Sequence, residues 1–189
     1  REELRQAQAC SPVLVNSPET ARTYSSVYGN DAIGTGHARS MLDSEQAWTP
    51  ANKVVGEWMQ IDLGALTNVM GVAVQGRKEN LAAAWEAQWV TQYKVSYSDD
   101  ASTWTELPDT FAGSSDADTA VNALFSWPIT ARYLRIFPQS WHNCNSMRVA
   151  ALTCQVIPQS RPPAPAPEVF YSWQLIARQD AQEALFSDA

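Results

Sequence analysis

At 189 residues the chain suits one ordinary domain with tails, and two full-sized domains would be crowded. It carries 13 Lys and Arg against 20 Asp and Glu, a net charge of −7, which argues against a nucleic-acid binder held by distributed phosphate contacts. No apolar run nears the roughly 18 residues of a membrane span, and no signal-like segment precedes Arg1, so a mature chain or an excised piece is expected, with any membrane association peripheral.

In chain order, residues 1–9 form a polar lead, 10–156 a long body, 157–167 a Pro-rich linker and 168–189 a tail. Within the body, EWMQIDLG at 57–64 alternates Met59, Ile61 and Leu63 with Trp58, Gln60 and Asp62, the period of a strand with one apolar face that Gly64 ends. NVMGVAVQG at 68–76 and WVTQYKVSYS at 89–98 read as further strands, and SDDAS after the second is a turn signal. WTEL at 104–107 reads as a short strand. ALFSWPI at 123–129 reads as an edge segment interrupted by Pro128, and ARYLRIFP at 131–138 as a clear strand with Leu134 and Ile136 on one face. SMRVAALTC at 146–154 closes the body. Many short strands with Gly and Asp turns predict an all-β, antiparallel sandwich.

QSRPPAPAP at 159–167 reads as a semi-rigid polyproline spacer. Beyond it, Val169, Trp173, Ile176 and Ala177 recur near helical spacing, predicting a short amphipathic helix. That helix packs back on the body, assembles chains or begins a further region; its sequence does not choose among the three.

Cys10 opens the body and Cys154 closes it. A bond between them would tie terminal strands, stabilise the fold by about 5 kcal/mol on the loop-entropy account and imply an extracytoplasmic location. Cys144, in WHNCNS at 141–146, is then the odd thiol, read first as a free or partly buried cysteine and second as an intermolecular bridge. Neither a zinc site nor a Cys144–His142 nucleophile is supported, for want of further ligands and of an orienting group.

The segments TYSSVYG, HARSMLDSEQAWTPA, EWMQIDLG, VMGVAVQGR, WVTQYKVSYSDDASTW, ITARYLRIFPQSW and MRVAALTC, in that order over about residues 10–154, resemble the discoidin family, also called the coagulation factor 5/8 type C family. The resemblance implies a jelly-roll sandwich of eight strands, a disulfide joining Cys10 to Cys154, and ligand-contacting loops at one end. It also implies a binding module for carbohydrates, phospholipid membranes, collagen or protein receptors, usually outside cells. Thr49 stands where many relatives carry Cys, and Ser114 where Asn often follows Gly.

Three loop regions supply candidate contacts. In 25–48, Tyr28 is the aromatic candidate, and Asp31, His37, Asp43 and Glu45 can hydrogen-bond hydroxyls. In 76–89, Arg77 takes the QGR position, where it either binds ligand or braces the loops. Lys78, Glu79 and Glu86 add charged hydrogen-bonding groups there, and Trp85 offers a flat ring for a sugar's apolar face. Leu81, Trp85 and Trp89 recur four apart, so a short loop helix there is the alternative. In 139–143, Trp141 can stack while His142 and Asn143 hydrogen-bond. Trp48, Trp58, Trp104 and Trp127 are assigned to packing, and Arg148 to a buried polar brace.

The expected function is non-catalytic carbohydrate recognition by a secreted or cell-surface module, with a glycan or glycoprotein as partner. A protein receptor or the matrix is the alternative, and phospholipid a weaker one. Self-assembly would run through the tail or Cys144. No cofactor is required, although loop carboxylates leave structural calcium open despite the absence of an EF-hand loop. With two histidines and no demonstrable pair of catalytic carboxylates, an enzyme is not expected.

Overall fold

The computed structural model describes residues 10–78 and 86–156; the expected loop helix around Leu81 and Trp85, the linker and the helical tail lie outside the described residues. The described strands are β1 (Cys10–Val15), β2 (Arg22–Tyr24), β3 (Met59–Gln75), β4 (Trp89–Ser98), β5 (Thr105–Glu106), β6 (Phe111–Ala112), β7 (Val121–His142) and β8 (Arg148–Val156). Single 3₁₀ turns occupy Glu19–Ala21 and Tyr28–Asn30. Strands run in the order β1-β8-β3-β7-β4-β5, with β2 on β3 and β6 on β4, and every ladder between them is antiparallel.

Two long, bent strands make this ladder an antiparallel β-sandwich. Met59–Asp62 of β3 pairs with Ile136–Tyr133 of β7 and also with β2, whereas Thr67–Val74 pairs with the earlier half of β7, and Val69–Gln75 with β8. The sequence reading ended a strand at Gly64; the chain instead bulges through residues 63–66 and continues, so two expected strands are one. The same correction applies to β7, where the expected segments 123–129 and 131–138 join. Here Phe125–Pro128 bulge opposite Met70, which accommodates a proline that has no N–H to give the ladder.

Alternation selects the core. Met59, Ile61, Val69, Val72, Val74, Tyr93, Val95, Leu134, Ile136 and Val149 are buried between the layers, with Trp48 and Met147 beside them. Removing this much apolar surface from water is the main stabilising term of such a fold. Gly71 sits where β3, β7 and β8 meet, and a Cβ there would collide with the Ala123 carbonyl; only glycine lets the strands approach so closely.

The tryptophans divide. Trp48 is fully buried, stacks on Tyr24 at 5.7 Å and donates its Nε1–H to the Ser26 carbonyl at 2.9 Å, the expected loop anchor. Trp58 and Trp104 grip the Arg135 guanidinium from two sides at 4.0 and 3.9 Å. Trp127, assigned to packing from its strand-like surroundings, is instead 53% exposed, because the bulge at 125–128 interrupts the inward–outward alternation.

On the edge of the sheet, β1 pairs with β8 so that Cys10 lies opposite Val156 and Pro12 opposite Cys154, which brings the two cysteines onto neighbouring strands. Cys144 is the free cysteine among the described residues.

Candidate functional site

Three loop regions meet at the ends of β2, β3, β4 and β7. Buried arginines hold them. Arg22 donates to the carbonyls of Ser17, Ser40 and Val149, fixing the start of the first loop, and Glu19 accepts the backbone N–H groups of Ser40 and Met41. Arg148 is 1% exposed and donates to the carbonyls of Gly76, Ser44 and Ala117 at 2.7, 2.8 and 3.0 Å. One guanidinium thus ties together the first loop, the second loop and the β6–β7 connection, as the brace assignment expected. Charge-assisted bonds to carbonyls are the strong kind, and leaving such carbonyls unmade inside the protein is costly.

Within this frame a cavity of about 350 Å³ is lined by Tyr28, His37, Thr49, Pro50, Ala51, Lys53, Arg77, Gln88 and Cys144. A connected set of hydrogen bonds shapes it. Thr49 Oγ1 and Ser146 Oγ are 2.8 Å apart, Ser146 Oγ donates to Gln88 Oε1 at 2.7 Å, Arg77 Nη1 donates to the same oxygen at 3.1 Å, and Arg77 Nε donates to Gln46 Oε1 at 3.0 Å. Where many relatives of the expected family have Cys, Thr49 therefore bonds to Ser146 instead. Arg77 is 4% exposed, and burial pulls its guanidinium below the ordinary arginine range, the Coulombic influence of Cys144 acting the other way.

Also lining the cavity, Tyr28 is 57% exposed and meets His37 edge-on, with ring centroids 5.1 Å apart. His37 is latched from behind: Asp31 Oδ2 accepts its backbone N–H and faces its Nδ1, each at 2.8 Å. The backbone bond, then the ring bond, holds the Asp31 carboxyl below the usual range. Gly36 makes the latch feasible, since a Cβ there would strike the Asp31 carboxylate and its φ of +43° favours glycine.

Of the residues singled out from sequence, Tyr28, His37 and Arg77 come together in the cavity, with Asp31 behind His37. The others are engaged elsewhere. Asp43 exchanges hydrogen bonds with Gln75, and Glu45 faces Arg39 at 3.5 Å with its side chain 92% exposed. Lys78 pairs with Asp118 at 3.0 Å in a second depression. Glu86 is exposed outside the cavity lining. Glu79 and Trp85 lie outside the described residues.

The 139–143 region is not the free rim loop expected. Residues 139–142 continue β7, Trp141 pairs across to Val90, and His142 stacks on Trp89 at 3.9 Å. Asn143 holds the second loop by donating to the Ala87 carbonyl at 2.8 Å. These residues therefore support the rim, and the described cavity does not include them.

Sequence reasoning missed Lys53 and Gln88 as lining residues. Lys53 had one signal, being the sole cation between Arg39 and Arg77. Gln88 had none, because its role depends on its antiparallel bridge to Arg77. Cys144 was noted as a spare thiol, but its place in the cavity wall follows from the tight turn in which its N–H bonds the His142 carbonyl.

Among the described residues, no group of three or more His, Cys, Asp or Glu is placed to hold a metal ion, and no helix is long and apolar enough to cross a membrane.

Comparison with known proteins agrees with this architecture. Bovine lactadherin is 34% identical over 151 residues, which cover 75% of this chain and 34% of that protein; Drosophila melanogaster neurexin-4 is 33% identical over 66% of this chain and 10% of its own. The chain thus spans about a third or less of these relatives. Wild-type discoidin II from Dictyostelium discoideum superposes with a TM-score of 0.60 at 20% identity, covering 81% of this chain and 61% of that one. The family 32 carbohydrate-binding module of Clostridium perfringens NanJ, solved in complex with galactose, superposes with a TM-score of 0.54 at 13% identity, covering 75% and 99%. The family model for the F5/8 type C domain matches residues 20–151, and the chain belongs to that family.

Proposed function

We propose that the cavity bounded by Tyr28, His37, Arg77 and Gln88 is a carbohydrate-recognition site and that the module acts by binding, without catalysis. The observation that carries this reading is the pairing, in one cavity of about 350 Å³, of an exposed aromatic ring with polar side chains fixed by hydrogen bonds. A pyranose presents just these two faces: a patch of C–H groups that packs on an aromatic ring, and hydroxyls that need oriented donors and acceptors. The family consists of carbohydrate- or phospholipid-binding adhesion modules, which is consistent with it. The galactose-bound neighbour supports it only as a related fold with a sugar ligand.

In this reading Tyr28 supplies the stacking face, while Gln88, Arg77 and His37 supply hydroxyl contacts. The module works outside the cell, as a secreted or surface protein, with its termini stapled by Cys10–Cys154, and it needs no cofactor. Single-site affinity is weak and becomes effective through several modules or assembled chains.

A second reading, peripheral contact with phospholipid, has one observation in its favour. Ile33, Val54 and Val55 are 49%, 53% and 58% exposed, and the last two follow Lys53 directly on the cavity's margin.

A glycan array followed by calorimetric titration of the strongest hit, with and without chelator, tests the first reading, and sedimentation with anionic and neutral liposomes tests the second. Saturable sugar binding lost in Tyr28→Ala supports the carbohydrate site. A folded sample that binds no saccharide and sediments with liposomes replaces it with the lipid reading.

A further inference from the structure

We infer that the outer face of the layer made by β2, the start of β3, the end of β7, β4 and β5 docks a protein segment that presents one carboxylate between apolar side chains, with Arg135 as the group that meets the carboxylate. The inference is independent of the carbohydrate reading, since Arg135, Trp58 and Trp104 are not among the described residues that line the cavity.

Register puts Arg135 at the centre of this face. Thr23 pairs with Gln60, Gln60 with Arg135, Arg135 with Ser96 and Ser96 with Glu106, so one row of partners crosses β2, β3, β7, β4 and β5. Residues directly opposite each other in antiparallel strands project on the same side. Their chain neighbours Met59, Ile61, Leu134, Ile136 and Val95 belong to the core, so the row points outward.

The guanidinium is held there without being satisfied. Trp58 and Trp104 lie against it at 4.0 and 3.9 Å, and its Nε donates to Gln60 Oε1 at 3.0 Å. Indoles engage the flat faces of a guanidinium, whereas its N–H groups lie in the plane at its edge. Arg135 has no acidic partner and its two Nη nitrogens donate no hydrogen bond within the described residues. Neither nitrogen is among the buried atoms that lack a partner, so both open to solvent. Burial draws this guanidinium below the ordinary arginine range, whereas the bonded Asp62 carboxylate holds that of Arg132 above it.

The charges nearby are already matched. Arg132 grips Asp62 through two bonds of 2.9 Å, and Lys94 meets Glu106 at 2.7 Å. Arg135 is therefore left as an uncompensated positive charge between two half-buried indoles. Such an arrangement discriminates among anions. A polyanion needs cations spread along its length, and the chain's net charge of −7 repels it. One carboxylate fits the in-plane fork of one guanidinium, and the exposed parts of the indoles offer apolar area to the residues beside it. Trp and Arg are over-represented among the few residues that dominate binding at protein interfaces, and a side chain already pinned by stacking loses little freedom when a partner arrives.

The test is an array of immobilised peptides of the form X-Asp-Z and X-Asn-Z, with X and Z drawn from Leu, Ile, Val, Phe and Pro, probed with the full chain. The strongest member is then titrated as a free peptide into isotope-labelled chain and followed by NMR, with a heparin oligosaccharide titrated in parallel. Asp peptides are expected to bind about tenfold more tightly than their Asn counterparts at low salt, with the gap shrinking at high salt. The indole N–H resonances of Trp58 and Trp104 are expected to shift, while the ring resonances of Tyr28 and His37 stay in place. Arg135→Gln is expected to erase the Asp preference and Arg135→Lys to reduce it, because an ammonium lacks the planar fork. If either variant fails to fold, the shifts in the wild-type chain decide the outcome. Equal binding of Asp and Asn peptides, shifts confined to the cavity, or no peptide bound by the folded chain overturns the inference and leaves the carbohydrate reading standing. Shifts at the two indoles with heparin and with none of the peptides overturn it in favour of a sulfated polysaccharide. Concentration-dependent shifts at the same indoles without any peptide overturn it in favour of a second copy of the chain.

Discussion

Asp31 and His37 form a two-point latch on a single carboxylate oxygen, Oδ2, which meets both the backbone N–H and the ring Nδ1 of His37 at 2.8 Å. Because His37 lines the cavity and Asp31 does not, the carboxylate acts through the histidine, setting the position of one wall.

That latch has a pH signature. The Asp31 carboxyl is held below its ordinary value of 3.8 in the folded chain, so it contributes stability that is fully present above the unfolded value and is lost as pH falls through the lower folded value. The stability difference between wild type and Asp31→Ala is therefore expected to be flat above about pH 5 and to shrink toward zero as the carboxylate protonates in acid. Urea denaturation of both proteins across pH, with the Asp31 resonance followed by NMR, measures it. A difference that grows on acidification would contradict the latch.

The Arg148 brace predicts a change felt in three loops at once. Arg148→Met keeps most of the apolar stem but abandons the carbonyls of Gly76, Ser44 and Ala117. A loss of about 2–4 kcal/mol is expected, the range for breaking a buried, hydrogen-bonded charge. Denaturant unfolding checks the magnitude. Amide exchange is expected to accelerate around residues 43–46, 75–78 and 114–119 together, and acceleration in one region alone would show that the guanidinium does not couple them.

How much of this was legible in the sequence depends on the range of the interaction. The strand faces at Met59–Ile61 and Leu134–Ile136 could be read because alternation is local, and both turn inward as expected. The bulges at 63–66 and 125–128 could not, because the register of β3 against β7 is set by partners some sixty residues away. The same limit applies at the site. Tyr28, His37 and Arg77 were recognisable by residue type and loop position, whereas Gln88 and Lys53 became lining residues only when the loops met. Trp141 and His142 were misplaced for a related reason: β7 runs further than its apolar period, carrying them into pairing with β4.

The contrast between two tryptophans gives a sharp stability test. Trp48 is fully buried with its indole N–H satisfied, and Trp48→Ala is expected to cost about 3–5 kcal/mol, as for other buried aromatic truncations. Trp127 is 53% exposed on a bulge, and Trp127→Ser is expected to stay within about 0.5 kcal/mol of wild type. Thermal unfolding of the two variants decides it; a large loss for Trp127→Ser would mean that its ring is covered in solution.

Glycine at position 71 is a backbone requirement rather than a packing preference. Gly71→Ala places a methyl group against the Ala123 carbonyl, and backbone cannot swing aside as a flexible side chain can. A destabilisation of about 2–3 kcal/mol is expected, at the upper end of ordinary overpacking. Gly71 lies within β3, which ends at Gln75, and does not line the cavity, whose Arg77 follows that strand, so binding in the variant that remains folded is expected to be unchanged. Measuring denaturation midpoint and sugar affinity on the same sample separates the two effects.

Cys144 offers a direct probe of the cavity, because it lines the wall with Arg77 and Gln88 while Cys10 and Cys154, on β1 and β8, are not among the described lining residues. With Cys10 and Cys154 bonded to each other, intact-mass analysis under native, non-reducing conditions is expected to show one added label per chain from a small maleimide, on a peptide containing Cys144. If the cavity holds the proposed sugar, its occupancy shields that sulfur, so saturating ligand is expected to slow the labelling several-fold, and Cys144→Ser to abolish it. A prior adduct of greater bulk is expected to eliminate sugar binding while leaving the unfolding midpoint nearly unchanged. Three labels per native chain would refute the terminal staple, and a labelling rate indifferent to saturating sugar would place the ligand away from this cavity.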